Sequence, residues 1–402
     1  PMVDFFTSPH SYSHRALGED GAFRAYPESI KLRGKLFIDE GDDRTYLAGD
    51  DGFTHVDGPE QTVAIMRREG LNVLTARVGM WWFDMYAGWF NDPALLDTAR
   101  KIRDLAEQAL EAERTGGAEI AVVLDPTNYY GMADWKTGTD ALHLPLCNEQ
   151  FRELHRIGAP FDVLLLDDLF RPRVRDYKCY VLLNTWCMTE ARREELARIL
   201  HRPGKVAVFA YAPGFSSNRG LSVDHMRDLT GLTFQMNTGG GPMVARWEGY
   251  ARQVPGIQPE GSWGPEKSMA PRFSPECDQE NLLAVWQDTG EPAAAFSEQD
   301  GWSGVYCGTG AIPAQLISWA ARKAGCHLWT HPWTDGSAFY AGGGFLGIHT
   351  ASAGERTFSL PWPARVTDAV TGEVILNDGI EFSVNLPRWS TAIYRLEPAA
   401  NP

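Results

Sequence analysis

Apolar residues recur along this chain in two rhythms, and the passage from one to the other organises the sequence. In the first stretch, short apolar runs alternate with amphipathic ones. Val3–Phe6, Leu36–Glu40 and Val73–Trp82 predict strands, whereas Pro59–Gly70 and Pro93–Arg114 predict helices. In the last of these Leu95, Ala99, Ile102, Ala106 and Leu110 fall three or four residues apart, giving one apolar face to lay on a sheet. Strand, helix, strand, helix implies parallel strands joined by crossovers. The sequence enters this series at once, in "MVDFFTSP", as though cut into it.

The stretch "ERTGGAE" (Glu113–Glu119) predicts a break, and a second series follows. Its strands "EIAVVLDP", "FDVLLLDDL", "YKCYVLLNT" and "KVAVFAYAPG" are nearly all apolar, as strands covered on both faces must be. Thr189 reads as the N-cap of a helix reaching His201. Gly239–Pro275, rich in Gly and Pro, reads as irregular; the series resumes with "SGVYCGTG" and a helix over Pro313–Gly325. Near the end the period drops to two. Phe358 and Leu360, then Phe382, Val384 and Leu386, alternate with polar residues, which predicts half-buried antiparallel strands and a small β-sandwich. The expected segments are 1–117, 118–334 and 335–402.

Composition narrows what such a chain does. Its 402 residues, 44% hydrophobic, suffice for two or three domains with their own cores. A net charge of −15 repels phosphate backbones and anionic lipid, so neither nucleic acid nor a membrane is an expected partner. No run of 18 apolar residues and no charged-then-apolar leader pattern occurs, so neither a membrane span nor export is expected. Cys147, Cys179, Cys187, Cys277, Cys307 and Cys326 are scattered without a CxxC pair. Reduced thiols in a cytoplasmic protein are expected from that spacing, and neither a disulfide framework nor a cysteine metal site. No cofactor is expected.

The candidate chemistry gathers at strand ends. On the strand of "KLFIDEGDDRTYL", Leu36, Ile38 and Glu40 share one face. If that face looks into a barrel, Glu40 stands at the C-terminal rim, where parallel barrels keep their chemistry. Asp42, Asp43 and Arg44 follow in the loop, with Arg44 placed to orient and ionise a carboxylate. The strand before carries Asp4 and, past its end, His10, Tyr12 and Arg15; the strand after carries Trp81, Trp82 and Asp84. Fourteen tryptophans, several clustered in "MWWFDMYAGWF", offer flat platforms for sugar rings. Acids, aromatics and polar groups at one rim are what glycoside hydrolysis uses: a carboxylate nucleophile, a second acid roughly 5 Å away in retaining enzymes, and aromatic stacking. A solvated acidic loop, a divalent-metal site from Glu40, Asp42 and Asp43, and packing of one Trp in the core are the competing readings.

In this order, "VDFFTSPHSYSHR", "ESIKLRGKLFIDEGDDRT", "EQTVAIMRREGLNVL" and "GMWWFDMYAGWFNDP" resemble the last three β/α units of clan A glycoside hydrolases of family 42, the β-galactosidase family. The second series resembles that family's trimerisation domain, itself like a class I glutamine amidotransferase. "FSLPWPARVTDAVTGE" and "FSVNLPRWSTAIYRLE" are similar to its C-terminal β-sandwich. The resemblance implies an α/β chain: a remnant of a (β/α)8 (TIM-type) barrel without strands one to five, then a flavodoxin-like or amidotransferase-like domain, then the sandwich. It places the nucleophile on Glu40 and the sugar-site aromatic on Trp81 or Trp82. The family's acid/base Glu, after an Asn on strand four, has no counterpart among the three units. Asn148-Glu149 in "LCNEQF" belongs to the second domain and is read as coincidence. The acid is then expected from a neighbouring subunit, Asp4 or Asp84. A carbohydrate substrate and a homo-oligomer, a trimer or a multiple of one, are implied. The competing expectation is a weak or inactive remnant that binds sugar or serves assembly.

Two further stretches invite chemistry. At the turn where an amidotransferase would carry its Cys nucleophile, "FAYAPGF" offers Ala212, and Cys179 and Cys187 are expected to be buried and inert. "CGTGAIP" reads as a tight turn with Pro313 at a helix start.

Overall fold

The computed structural model describes residues 2–49, 56–111, 117–131, 142–332 and 335–399. The chain divides into two compact units. The first comprises 1–118, 155–160 and 328–402, the second 119–154 and 161–327. Residues 335–402, expected as a segment of their own, thus belong with the N-terminal stretch. The boundary at Ala118 falls within the predicted break, whose residues 113–116 lie outside the described ones.

In the first unit β1 (Phe5–Pro9), β2 (Leu36–Gly41) and β3 (Gly79–Trp82) form a parallel sheet in the order β1-β2-β3. Helices α1 (Pro27–Leu32), α2 (Pro59–Ala76) and α3 (Pro93–Glu111) follow the strands in turn. The strand expected over Val73–Trp82 is therefore mostly helix: α2 runs six residues past Gly70, and β3 keeps only four residues. On α2, Leu71 and Leu74 pack with Leu105 and Ala109 of α3 against Ala338, Tyr340, Phe345 and Ile393. Those last four stand on an antiparallel sheet of Ala338–Gly342, Phe345–His349, Thr391–Pro398, Gly354–Asp368 and Val374–Leu386, in that order.

This C-terminal sheet is one hydrogen-bonded sheet where two facing sheets were expected. Its long strand Gly354–Asp368 shifts register between Ser359 and Ala364, and only the part after the shift pairs with Thr391–Pro398. A bulge of this kind bends a strand. The first half of the hairpin thereby comes over the sheet's own face, with Phe358 stacked on Phe339 at 6.3 Å between ring centroids. Phe358, Leu360, Ile348, Val366 and Leu346 close the core so formed.

The second unit is built on parallel strands β4 (Ile120–Leu124), β5 (Phe161–Leu165), β6 (Cys179–Leu182), β7 (Val206–Ala210) and Ser303–Cys307, lying in the order β5-β4-β6-β7 and then Ser303–Cys307. That is the 2-1-3-4-5 order of a flavodoxin-like sheet. Every residue of β4, β6 and β7 is buried, as predicted for strands covered on both faces. The sheet continues antiparallel through Pro292–Glu298, Leu282–Trp286, Ala245–Trp247 and Ser262–Trp263. Part of the stretch expected to be irregular thus supplies strands too short to show a period. Thr189 caps its helix, accepting from Arg192 N at 3.4 Å, and Pro313 is the N-cap of Ala314–Lys323.

Candidate active site at the C-terminal end of the three-stranded sheet

Register decides what stands beside Glu40. Partnered residues of parallel strands share a face, so Phe5, Thr7 and Pro9 of β1, Leu36, Ile38 and Glu40 of β2, and Gly79 and Trp81 of β3 look the same way. Glu40 is half-buried on that face, opposite Pro9 on one side and Trp81 on the other. The Trp81 indole leans across β2 and donates from Nε1 to Thr7 Oγ1 at 3.3 Å. It therefore lies over Ile38, beside the carboxylate, with 41% of its surface exposed. Trp82 points the other way: its ring fills the space that a Cβ on Gly41 would need, 2.8 Å away, and meets Phe90 at 5.6 Å. Of the two expected tryptophans, Trp81 alone shares Glu40's face.

The remaining expected residues divide by position. Tyr12 is exposed just past β1, with the Arg15 and Arg24 guanidiniums 4.0 and 5.1 Å from its ring centre. Asp84 accepts from the backbone N–H of Gly88 at 2.7 Å and Trp89 at 3.3 Å, which holds its own loop in shape. Asp4 stands before Phe5, at the opposite end of the sheet from Glu40; Leu36 N bonds its carbonyl. A strand rises about 3.3 Å per residue, so the five residues of β1 separate Asp4 from the rim. Arg44 lies against the Trp89 ring at 5.4 Å, and the cation that acts on Glu40 is Arg15. Burial pushes the Glu40 carboxyl above the usual range, Asp42 and Asp39 push it the same way, and Arg15 opposes them. The cation expected to act on Glu40, Arg44, thus lies at Trp89, and that part falls to Arg15.

Behind the sheet, on the face of Asp39, lies a buried ionic cluster. His10, expected at the sugar site, is fully buried there, with Nε2 2.8 Å from Asp43 Oδ1 and Nδ1 3.4 Å from Glu69 Oε2 and 3.5 Å from Asp39 Oδ2. Burial opposes charge on the imidazole, but Asp43, Glu69 and Asp39 outweigh it and raise its pKa well above the ordinary value. Burial lifts the Glu69 carboxyl to about 7 despite Arg68, whose Nη2 sits 2.5 Å away. Arg15 closes the cluster on Asp42 at 2.5 Å. Asp39, Glu69 and Arg68 escaped the sequence analysis, although the signal for Asp39 was present. A strand that shows Glu40 on one face turns its neighbour to the helices, where an acid demands partners.

The second unit carries no thiol at its strand-end turn. Tyr211, just after β7, has left-handed backbone (φ 59°), and its hydroxyl donates to the Pro271 carbonyl at 2.7 Å; Ala212 follows. Cys179 is buried within β6, where desolvation drives its pKa well up. Cys187 is exposed, contrary to expectation, because it lies five residues past the end of β6. Asn148 and Glu149 lie together in a helical turn of this unit. No described helix is long and apolar enough to cross a membrane.

No family model matches the chain, and no curated protein sequence does. Solved structures do. A GH42 β-galactosidase from G. stearothermophilus superposes with a TM-score of 0.61 at 12% identity, over 90% of this chain and 54% of that one. The β-galactosidase from Bacillus circulans sp. alkalophilus gives 0.56 at 14%, over 92% and 62%. The α-L-fucosidase isoenzyme 2 from Paenibacillus thiaminolyticus gives 0.56 at 14%, also over 92% and 62%. At such identities the likeness is one of fold, an α/β fold with a TIM-barrel-like part. The chain spans between 54% and 62% of the length of these three proteins.

Proposed function

We propose that this chain carries part of a retaining glycoside hydrolase acting on β-galactosides or related β-glycosides, with Glu40 as nucleophile. One observation supports this above the others: a half-buried carboxylate at the C-terminal end of a parallel strand, register-paired with an exposed indole lying over the same face. The fold shared with β-galactosidases and a fucosidase supports the substrate class.

In this reading the sugar ring lies on Trp81 and the Glu40 carboxylate attacks the anomeric carbon. The bond to the aglycone breaks as a second carboxylic acid protonates the leaving oxygen. That acid, now a base, takes a proton from water, which attacks the same carbon and releases Glu40. Such an acid stands about 5–5.5 Å from the nucleophile in retaining enzymes. Asp4 is at the wrong end of the sheet and Asp84 is engaged with its own loop. We therefore assign the proton donor to a part of the barrel beyond these three strands, from a further β/α unit or a neighbouring subunit. A second reading, a sugar-binding or assembly module with weak or no catalysis, draws on the same shortfall.

The test is hydrolysis of aryl β-galactosides, β-glucosides and β-fucosides by the wild type, Glu40→Gln and Glu40→Gly. The wild type is expected to turn over at least one of them, and Glu40→Gln to lose several orders of magnitude. Azide added to Glu40→Gly should restore aglycone release and give a glycosyl azide of inverted configuration. Equal rates for wild type and Glu40→Gln remove Glu40 from the mechanism; binding without turnover in the wild type favours the second reading.

A further inference from the structure

The glycosidase reading uses Glu40's face of the sheet and leaves the cluster on the opposite face unexplained. Four carboxylates, Asp39, Asp42, Asp43 and Glu69, are buried there with two guanidiniums, Arg15 and Arg68, and one imidazole, His10. The imidazole has acids at both nitrogens: Nε2 is 2.8 Å from Asp43 Oδ1, and Nδ1 is 3.4 Å from Glu69 Oε2 and 3.5 Å from Asp39 Oδ2. A neutral ring carries one N–H and turns a lone pair outward at its other nitrogen. Between carboxylates that lone pair would face negative charge, so the arrangement suits an imidazolium. Even then four carboxylates meet three cations. One negative charge is left over where water is excluded, and a buried charge without a partner is costly enough that the group takes up a proton instead. The place for that proton is the Nδ1 side of the ring. Asp42 is paired with Arg15 and Asp43 with Nε2, whereas among the described residues Glu69 Oε2 and both oxygens of Asp39 make no hydrogen bond.

We propose that this cluster is a latch closed by two protons, one on His10 and one held jointly by Asp39 and Glu69, whose loss as pH rises frees the loops after β1 and β2 from α2. The groups it joins lie on separate elements. His10 follows β1, Asp39 stands on β2, Asp42 and Asp43 follow β2, and Arg68 and Glu69 lie on α2. The guanidiniums bind the same pieces through the main chain: Arg15 Nη2 donates to the His10 carbonyl at 3.1 Å, and Arg68 Nη2 to the Arg15 carbonyl at 2.9 Å. Tyr340 and His349, from the C-terminal sheet, also face Arg68, and burial holds both neutral. Asp20, whose carbonyl accepts from the Tyr340 hydroxyl, is paired with His14 at 2.6 Å. The raised pKa values of His10 and Glu69, the latter about 7, agree with the count of charges. Both groups bind protons more tightly in the folded chain than at their ordinary values of 6.5 and 4.5. Their contribution to stability is therefore complete below those values and is lost as pH rises through the folded ones, about 7 for Glu69. Glu40 lies between Asp39 and Asp42 in sequence, so the latch steadies the rim from beneath. Its bearing on catalysis rests on the reading of Glu40 as nucleophile; the two protons do not.

The test needs no hydrolysis, so its failure is distinct from failure of the glycosidase reading. Urea unfolding of the full chain is followed between about pH 5 and 8, above the ordinary carboxylate range and below that of the thiols. The wild type is expected to lose stability across that interval, by at least about 10-fold in the folding constant. Asp39→Asn and Glu69→Gln each remove the surplus charge. Both should lose far less, and be more stable than the wild type at the upper end. Nitrogen-15 spectra of the wild type at about pH 7 should contain an imidazolium signal that is missing from His10→Gln. Hydrogen exchange, corrected for its intrinsic pH dependence, should show residues 10–15 and 39–45 opening as pH rises in the wild type and staying protected in Glu69→Gln. If an amide variant fails to fold, the wild-type spectra and exchange decide by themselves. The proposal is overturned if His10 is neutral at about pH 7, if the amide variants lose stability with pH as the wild type does, or if the two loops are equally protected at both ends of the range.

Discussion

Trp81 and Trp82 are adjacent in sequence and opposite in surroundings. Because side chains alternate across a strand, one indole lies in the open over Glu40's face while the other is wedged against Gly41 and Phe90. Their truncations should therefore separate cleanly. Trp81→Ala should weaken binding of a galactoside by up to about 10-fold, the size of one aromatic stacking contact, and leave stability within about 0.5 kcal/mol. Trp82→Ala should leave the sugar-facing side intact and cost about 2–4 kcal/mol of stability, as a packed aromatic does. Calorimetric titration with a non-hydrolysable galactoside and denaturant unfolding read the two quantities; variants that behave alike in both would refute the assignment. At this scale the alternation of β2 was legible, so Glu40's face was too. Arg15's part was not, because its guanidinium reaches Asp42 across 27 positions of sequence through a loop with no period. The nearer Arg44 drew the assignment instead.

Elements were legible where period and punctuation agreed, and misread where they did not. The end of α2 is the instructive case. Gly70 lies inside the helix, where a Cβ would come within 2.7 Å of Ile102 on α3, so it marks a close helix crossing, not a stop. The real stop at Arg77 has left-handed backbone (φ 53°) without the glycine that usually signals it. With Leu71, Val73 and Leu74 apolar on either reading, a strand was as good a fit as a helix. Gly347 shows the same constraint from the sheet side. A Cβ there would sit 2.4 Å from the Ala392 carbonyl oxygen and 2.6 Å from Leu71 of α2, and neither a central strand nor a buried leucine yields easily. Gly347→Ala should therefore destabilise the protein by about 1–3 kcal/mol through overpacking, although alanine suits a strand interior better than glycine does. A midpoint of urea unfolding equal to or above wild type would show that α2 does not press on the sheet this closely.

For the whole molecule, the decisive feature is a sheet that is open. Among the described residues β1 and β3 each pair with β2 alone, and Phe5 and Leu36, on Glu40's face, are 52% and 68% exposed. Free strand edges beside exposed aromatic and aliphatic side chains form a template for further pairing. Two routes to assembly then make different predictions. If the open sheet is what associates, light scattering should give a mass that is a multiple of 44.7 kDa, and Leu36→Glu should reduce it to one chain, because a charge cannot be buried there without a partner. If association resides in the flavodoxin-like unit, as the trimerisation resemblance implies, the oligomer should survive Leu36→Glu and the sheet should remain open. A wild type that scatters as a single chain of 44.7 kDa excludes both routes. It would leave Glu40 without a neighbouring subunit to supply the proton donor, and so favour the sugar-binding reading over the catalytic one.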